Sequence, residues 1–159
     1  MRKFISIIVL SIVLIACGTS PKVVKSSKKV IKGDWTLNNI TYSDYGNFKI
    51  LFFNDVYKDC LEKSEWRFIP NNNTGIYSVA TEGCENGERN FIFTIKEVDS
   101  TTGLYDFLLK PTDAKNKSID NSGFRLKLKQ LTDLNMQWEQ TASIEGKSFK
   151  IYINFIKNN

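Results

Sequence analysis

Phe124, Leu126 and Leu128 alternate with Arg125, Lys127 and Lys129, and a strict period of two leaves a chain few ways to fold. Successive side chains of a strand point to opposite faces, so this pattern builds a strand with one dry and one wet face. The alternation returns twice. Leu134, Met136 and Trp138 oppose Asn135, Gln137 and Glu139, and Phe149, Ile151, Ile153 and Phe155 oppose Lys150, Tyr152 and Asn154. Shorter stretches at residues 35–42, 48–53, 65–69, 75–80, 90–98 and 104–109 read the same way. Turn chemistry separates them: "PNNNTG" at 70–75, "DSTTG" at 99–103 and "IEGK" at 144–147 join consecutive strands as hairpins. The residues predict an all-β fold of about eight or nine strands, with one short helical segment near 54–64. Hairpin-linked strands favour an antiparallel up-and-down meander, and closing eight of them into a β-barrel removes the exposed edges. A two-sheet sandwich is the competing architecture.

The N-terminus is different in kind. Arg2 and Lys3 precede an uncharged apolar run that stops at Ala16, which are the regions of a secretory signal peptide. The run is shorter than the ~20 apolar residues of a transmembrane helix. Leu14-Ile15-Ala16-Cys17 resembles the bacterial lipobox, which implies cleavage after residue 16 and lipid attachment at Cys17. The expected organisation is therefore a lipoprotein signal peptide at 1–16, a flexible Lys/Ser-rich tether at 17–32 and a barrel domain at 33–159. The tether segment, with Lys22, Lys25, Lys28, Lys29 and Lys32, shows no apolar period. Extended, its roughly 15 residues reach at most about 50 Å.

Losing Arg2 and Lys3 lowers the formal net charge from +5 by two, to +3. That balance is too mild to imply nucleic acid, and from residue 33 onward acids slightly outnumber bases. The tether lysines serve either plain solubility or an attraction to anionic headgroups that adds to the acyl chains.

"GDWTLNNI", residues 33–40, opens the domain with Gly33 and Trp35. This pair resembles the lipocalin signature, in which the tryptophan plugs one end of the barrel. "CLEKSEWRFIPNNNTGIY", Cys84 and the C-terminal "LTDLNMQWEQ" and "GKSFKIYINF" are similar to small lipocalin-like bacterial lipoproteins. The family's late arginine, which packs across that tryptophan, is missing: the last strand offers Lys150 and Lys157. The Thr-Asp of the family's mid-barrel turn has only a displaced counterpart, Thr132-Asp133.

With Cys17 acylated, Cys60 and Cys84 remain, and an even pair in an oxidising compartment reads as a disulfide. Closing about 24 residues contributes roughly 3 kcal/mol in the chain-entropy description. The chain has no histidine, so no Ser-His or Cys-His pair exists and a zinc site would need an uncommon donor set. No metal, cofactor or catalytic residue is expected. Asp55, Asp59, Glu62 and Glu65 are the one acidic cluster, at the spacing of a solvated helix face. Trp66, Tyr77, Phe91, Phe93, Phe107, Phe124 and Trp138 sit at strand positions expected to point inward, either as core or as the lining of an apolar ligand cavity.

The expected function is a monomeric, non-enzymatic envelope lipoprotein. It is held to the membrane by N-terminal acyl chains and carries a small apolar or amphipathic ligand in its barrel. The alternative is a filled barrel that contacts another envelope component. Gly18, where an aspartate would retain a lipoprotein at the inner membrane, favours the outer membrane with the domain facing the periplasm.

Overall fold

The computed structural model describes residues 21–46, 48–99 and 101–158. Eight antiparallel strands close into a barrel, each beside its neighbour in the chain and the first beside the last. They are β1 (Gly33–Tyr42), β4 (Glu65–Ile69), β5 (Thr74–Val79), β6 (Gly87–Val98), β7 (Tyr105–Thr112), β8 (Phe124–Leu131), β9 (Asn135–Ile144) and β10 (Lys147–Lys157). Every neighbour but the closing pair is joined by a hairpin or by the loop after β1. Closure is made by β1, which pairs with β10 on one side and β4 on the other, so that Trp35 lies across from both Lys157 and Trp66. No barrel edge is left for another chain to extend.

Burial follows the sequence period. Phe68 and Trp66 point in while Glu65, Arg67 and Ile69 point out on β4, and β5 alternates strictly. The three expected hairpins are present. Glu145 and Gly146 both have positive φ, 53° and 79°, the geometry of a two-residue turn whose twist matches the strands it joins. Gly75 meets a different demand. A Cβ there would lie 2.7 Å from the Arg67 carbonyl oxygen and against the Phe91 ring, so the β4–β5 hairpin has no room for a side chain.

Three sequence expectations change. The stretch 48–53 is not a barrel strand. Only β2 (Leu51–Phe52) forms, and it pairs with β3 (Val56–Tyr57) in a separate two-stranded sheet. Phe53 and Asn54 adopt left-handed backbone, φ 55° and 59°, which turns the chain back on itself before a longer strand can grow. The helical segment near 54–64 shrinks to α2 (Lys58–Leu61), stopped beyond its end by the left-handed Lys63, φ 71°.

Nor is the segment 17–32 a flexible tether throughout, because α1 (Pro21–Ile31) is helical. Pro21 occupies the first helical position, where its missing N–H leaves no bond unmade. Short helices owe their stability to tertiary packing, and α1 has it. Ile31 is buried in the core, the Trp35 Nε1–H donates to the Ile31 carbonyl at 2.9 Å, and Lys157 Nζ donates to the Val30 carbonyl at 2.7 Å. Lys157 Nζ also lies 5.0 Å from the centre of the Trp35 ring, so it supplies the cation that the missing arginine would have placed there. α1 thus belongs to the folded unit and lies across the barrel end marked by Gly33, Asn73, Gly103 and Lys157. The opposite end, the mouth, is marked by Tyr42, Val79, Thr112 and Ile144.

Candidate ligand site at the barrel mouth

The loop after β1 crosses the mouth and drops Phe53 into it. That ring is buried and stands edge-on to Trp66 at 5.8 Å and to Phe124 at 5.4 Å. Left-handed backbone at two successive residues aims the ring inward, and several fasteners hold it. The expected disulfide between Cys60 and Cys84 joins α2 to the β5–β6 turn. Asn54 Nδ2 donates to Asp120 Oδ2 at 3.2 Å and to Ser122 Oγ at 3.1 Å in the β7–β8 loop. Hydrogen bonds from the Ser122 N–H and hydroxyl, then from Asn54, hold the Asp120 carboxyl below its usual range.

The seven aromatic residues expected to line a cavity do lie on the inner face, and they fill it. Trp66 stacks on Tyr77 at 4.5 Å and meets Trp138 edge-on at 5.5 Å; Phe107 stands 5.0 Å from Trp138, and Phe91 and Phe93 meet Phe68 at 5.4 and 5.9 Å. Trp138 and Phe155 close the middle at 4.4 Å. Six of the seven are fully buried and Phe124 is partly so. An eight-stranded barrel is just wide enough to be filled this way. Only Tyr77 borders the mouth pocket.

That pocket, of about 160 Å³, lies between Phe53 and the β7–β8 loop. Its apolar side is Phe53, Pro111 and Ile119; its polar side is Asn54, Asp55, Tyr77, Arg89, Asn90, Thr112 and Asp120. Asp55 Oδ2 accepts from the Tyr77 hydroxyl at 2.7 Å and from Arg89 Nε at 3.0 Å. The remaining Arg89 nitrogens donate to the Gly87 and Glu85 carbonyls at 2.8 and 2.7 Å, so the guanidinium is locked in place. Burial, reinforced by the bond to Asp55, pushes the Tyr77 phenol far above its ordinary range and keeps it a neutral donor. Thr112 is buried, and its hydroxyl has no hydrogen-bond partner among the described residues.

Two larger hollows are open clefts on the outer wall. One of about 400 Å³ runs from the β6–β7 turn to Lys127 and Lys129, where the pairing of β7 with β8 gives out. A second, of about 300 Å³, continues past Arg125 to Glu139 and Lys150. The acidic cluster splits, with Asp59 and Glu62 staying together near Tyr42. Asp55 serves the mouth, Glu62 accepts the Ile40 N–H at 2.6 Å, and Glu65 accepts from Asn158 at 3.4 Å. Among the described residues no group of cysteines and carboxylates is placed to hold a metal ion. Cys17 and residues 1–16 lie outside the described residues.

The barrel is similar to the crystal structure of a lipocalin-like protein from Bacteroides uniformis, with a TM-score of 0.50 and 10% identity over 81% of this chain and 99% of that one. The fold is lipocalin-like. A looser likeness, TM-score 0.45 with 15% identity over 83% of this chain and 73% of the other, is to bovine odorant-binding protein in complex with a selenium-containing odorant. No family model matches the sequence, and no curated protein matches it significantly. Within the lipocalin-like barrel, sequence reasoning missed Phe53, Arg89 and Thr112. The run 48–53 looks like any buried strand, and the contact between Arg89 and Asp55 spans 34 positions with no local signal.

Proposed function

We propose that this protein is a lipid-anchored envelope lipoprotein that binds a small amphipathic ligand at the mouth of its barrel. Cys17 carries the acyl chains after loss of residues 1–16, and the monomeric domain faces the periplasm from the outer membrane. The role is binding rather than catalysis. One observation supports the ligand reading above the rest: the locked Asp55–Arg89–Tyr77 network lines one pocket whose other side is Phe53. A few fixed polar groups against an apolar wall is how small-molecule sites set orientation. The volume of about 160 Å³ equals that of about five waters, so the ligand is small or enters by its polar head alone. Native mass spectrometry of protein purified from its own host is expected to show a bound small molecule. Substituting Arg89→Gln should remove it while the fold is retained. A ligand-free mass for the parent protein would overturn this reading.

The filled interior favours a second reading, in which the barrel is a solid support that meets another envelope component through its outer wall. Arg125, Lys127 and Lys129 line the clefts there.

A further inference from the structure

α1 is fixed to the barrel rather than trailing from it. Besides the bonds from Trp35 and Lys157, Lys28 Nζ donates to Asn73 Oδ1 at 2.7 Å and the Ser27 hydroxyl to the Gly103 carbonyl at 3.3 Å. These contacts define which side of the helix faces the protein. At 3.6 residues per turn, Lys25 and Lys29 are i and i+4 on one stripe, roughly opposite Ser27 and Ile31, and Lys32 follows directly after the last helical residue. All three lysines are exposed. The closed end therefore presents a row of cations that no acid of the barrel neutralises through a salt bridge among the described residues. Of the nearby acids, Asp34 is paired with Arg67 at 2.6 Å. Asp99 is occupied by the N–H groups of Thr101 and Thr102, which leaves Asp133. Beside them, Leu134 and Ile156 are exposed apolar residues at the same end, where the Lys157 N–H donates to the Leu134 carbonyl.

The position of the lipid attachment point then matters. Only four residues, 17–20, separate the start of the lipid-modified chain from Pro21. Four residues span at most about 14 Å, less than half the hydrocarbon thickness of a bilayer. A helix bolted to the barrel and tied this closely to its lipid cannot carry its lysine stripe far from the headgroups.

We propose that α1 and the adjoining turns form a docking surface for an anionic bilayer, so that the barrel stands closed end down and turns its mouth away from the membrane. This rests on the lipoprotein reading of Cys17. Each lysine near an anionic surface strengthens attachment about fivefold, so the three together set the orientation by roughly a hundredfold.

The test uses the full mature acylated protein in vesicles that carry a headgroup quencher. A fluorophore is placed on Asn71→Cys, in the β4–β5 turn of the closed end, or on Ser148→Cys, beside the mouth. With about a third phosphatidylglycerol, strong quenching at position 71 and weak quenching at 148 are expected. Lys25→Gln, Lys29→Gln and Lys32→Gln together should bring the two signals together while the protein still floats with the vesicles. Protein that floats but is quenched equally at both positions overturns the docking surface alone, as does a difference that survives the triple substitution. Protein that does not float overturns the anchoring reading and this inference with it.

Discussion

Tyr77 and Tyr105 are both inward, buried tyrosines, yet their hydroxyls have opposite standing. Tyr77 donates to Asp55, whereas the Tyr105 hydroxyl has no partner among the described residues. A net hydrogen bond to a charged group is worth about 1.5–3 kcal/mol, while removing a buried hydroxyl that makes no bond is close to neutral or favourable. Tyr77→Phe is therefore expected to lower stability by about 2 kcal/mol, and Tyr105→Phe to leave it unchanged or raise it slightly. Urea unfolding of the two variants, read as a midpoint shift at constant slope, separates them. Equal losses would mean that the Tyr105 hydroxyl has found a partner. At this scale the sequence says which residues point inward but not which polar tips are paired, since both tyrosines sit at inward strand positions.

At the scale of elements, legibility tracks how strongly the pattern is local. β8 is readable because Arg125, Lys127 and Lys129 mark every outward position between apolar neighbours. The β9–β10 hairpin is readable because Glu145-Gly146 states its turn. The run 48–53 is misleading, since a hydrophobic segment that dives into a barrel mouth has the composition of a strand and only the left-handed Phe53 and Asn54 tell them apart. α1 is hidden for the opposite reason: its lysines suggest a solvated linker, and its stability comes from Trp35, Asn73, Gly103 and Lys157, all beyond its own sequence. The Cys60–Cys84 disulfide gives the mouth loop a testable independence from the barrel, whose strands are held by their own ladders. Substituting both cysteines by alanine should lower stability by about 3 kcal/mol, or about 10 °C in Tm for a domain of this size. Amides of β8, β9 and β10 that exchange through global unfolding should accelerate in step with that loss, while residues 51–61 should accelerate at least tenfold more. Equal acceleration in the loop and the strands would show instead that loop and barrel unfold as one unit.

For the molecule as a whole, an interior filled with aromatic rings makes the fold vulnerable from the alkaline side. Burial pushes the phenols of Tyr77 and Tyr105 far above the ordinary value of 10.0, with the bond to Asp55 adding to the effect at Tyr77. Tyr42 is raised in the same direction by burial and then by Glu62 and Asp59. A phenol whose pKa is higher folded than unfolded holds its proton in the native state after the unfolded chain has released it. Its stabilising contribution is complete below pH 10 and is lost progressively as pH rises above that point. Each such group steepens the loss, and Tyr77 and Tyr105 together contribute about 3 kcal/mol per pH unit well above pH 10. The double variant Tyr77→Phe with Tyr105→Phe should therefore begin less stable at pH 8 but lose stability more slowly between pH 10 and 12, so that its curve approaches that of the parent protein. Urea midpoints measured at half-unit pH steps give both slopes. Parallel curves would mean that the two phenols already titrate in the folded barrel, through an interior open enough to admit hydroxide. In that case the calyx is not sealed by Phe53 and its loop, and a ligand has a path past the mouth into the barrel itself.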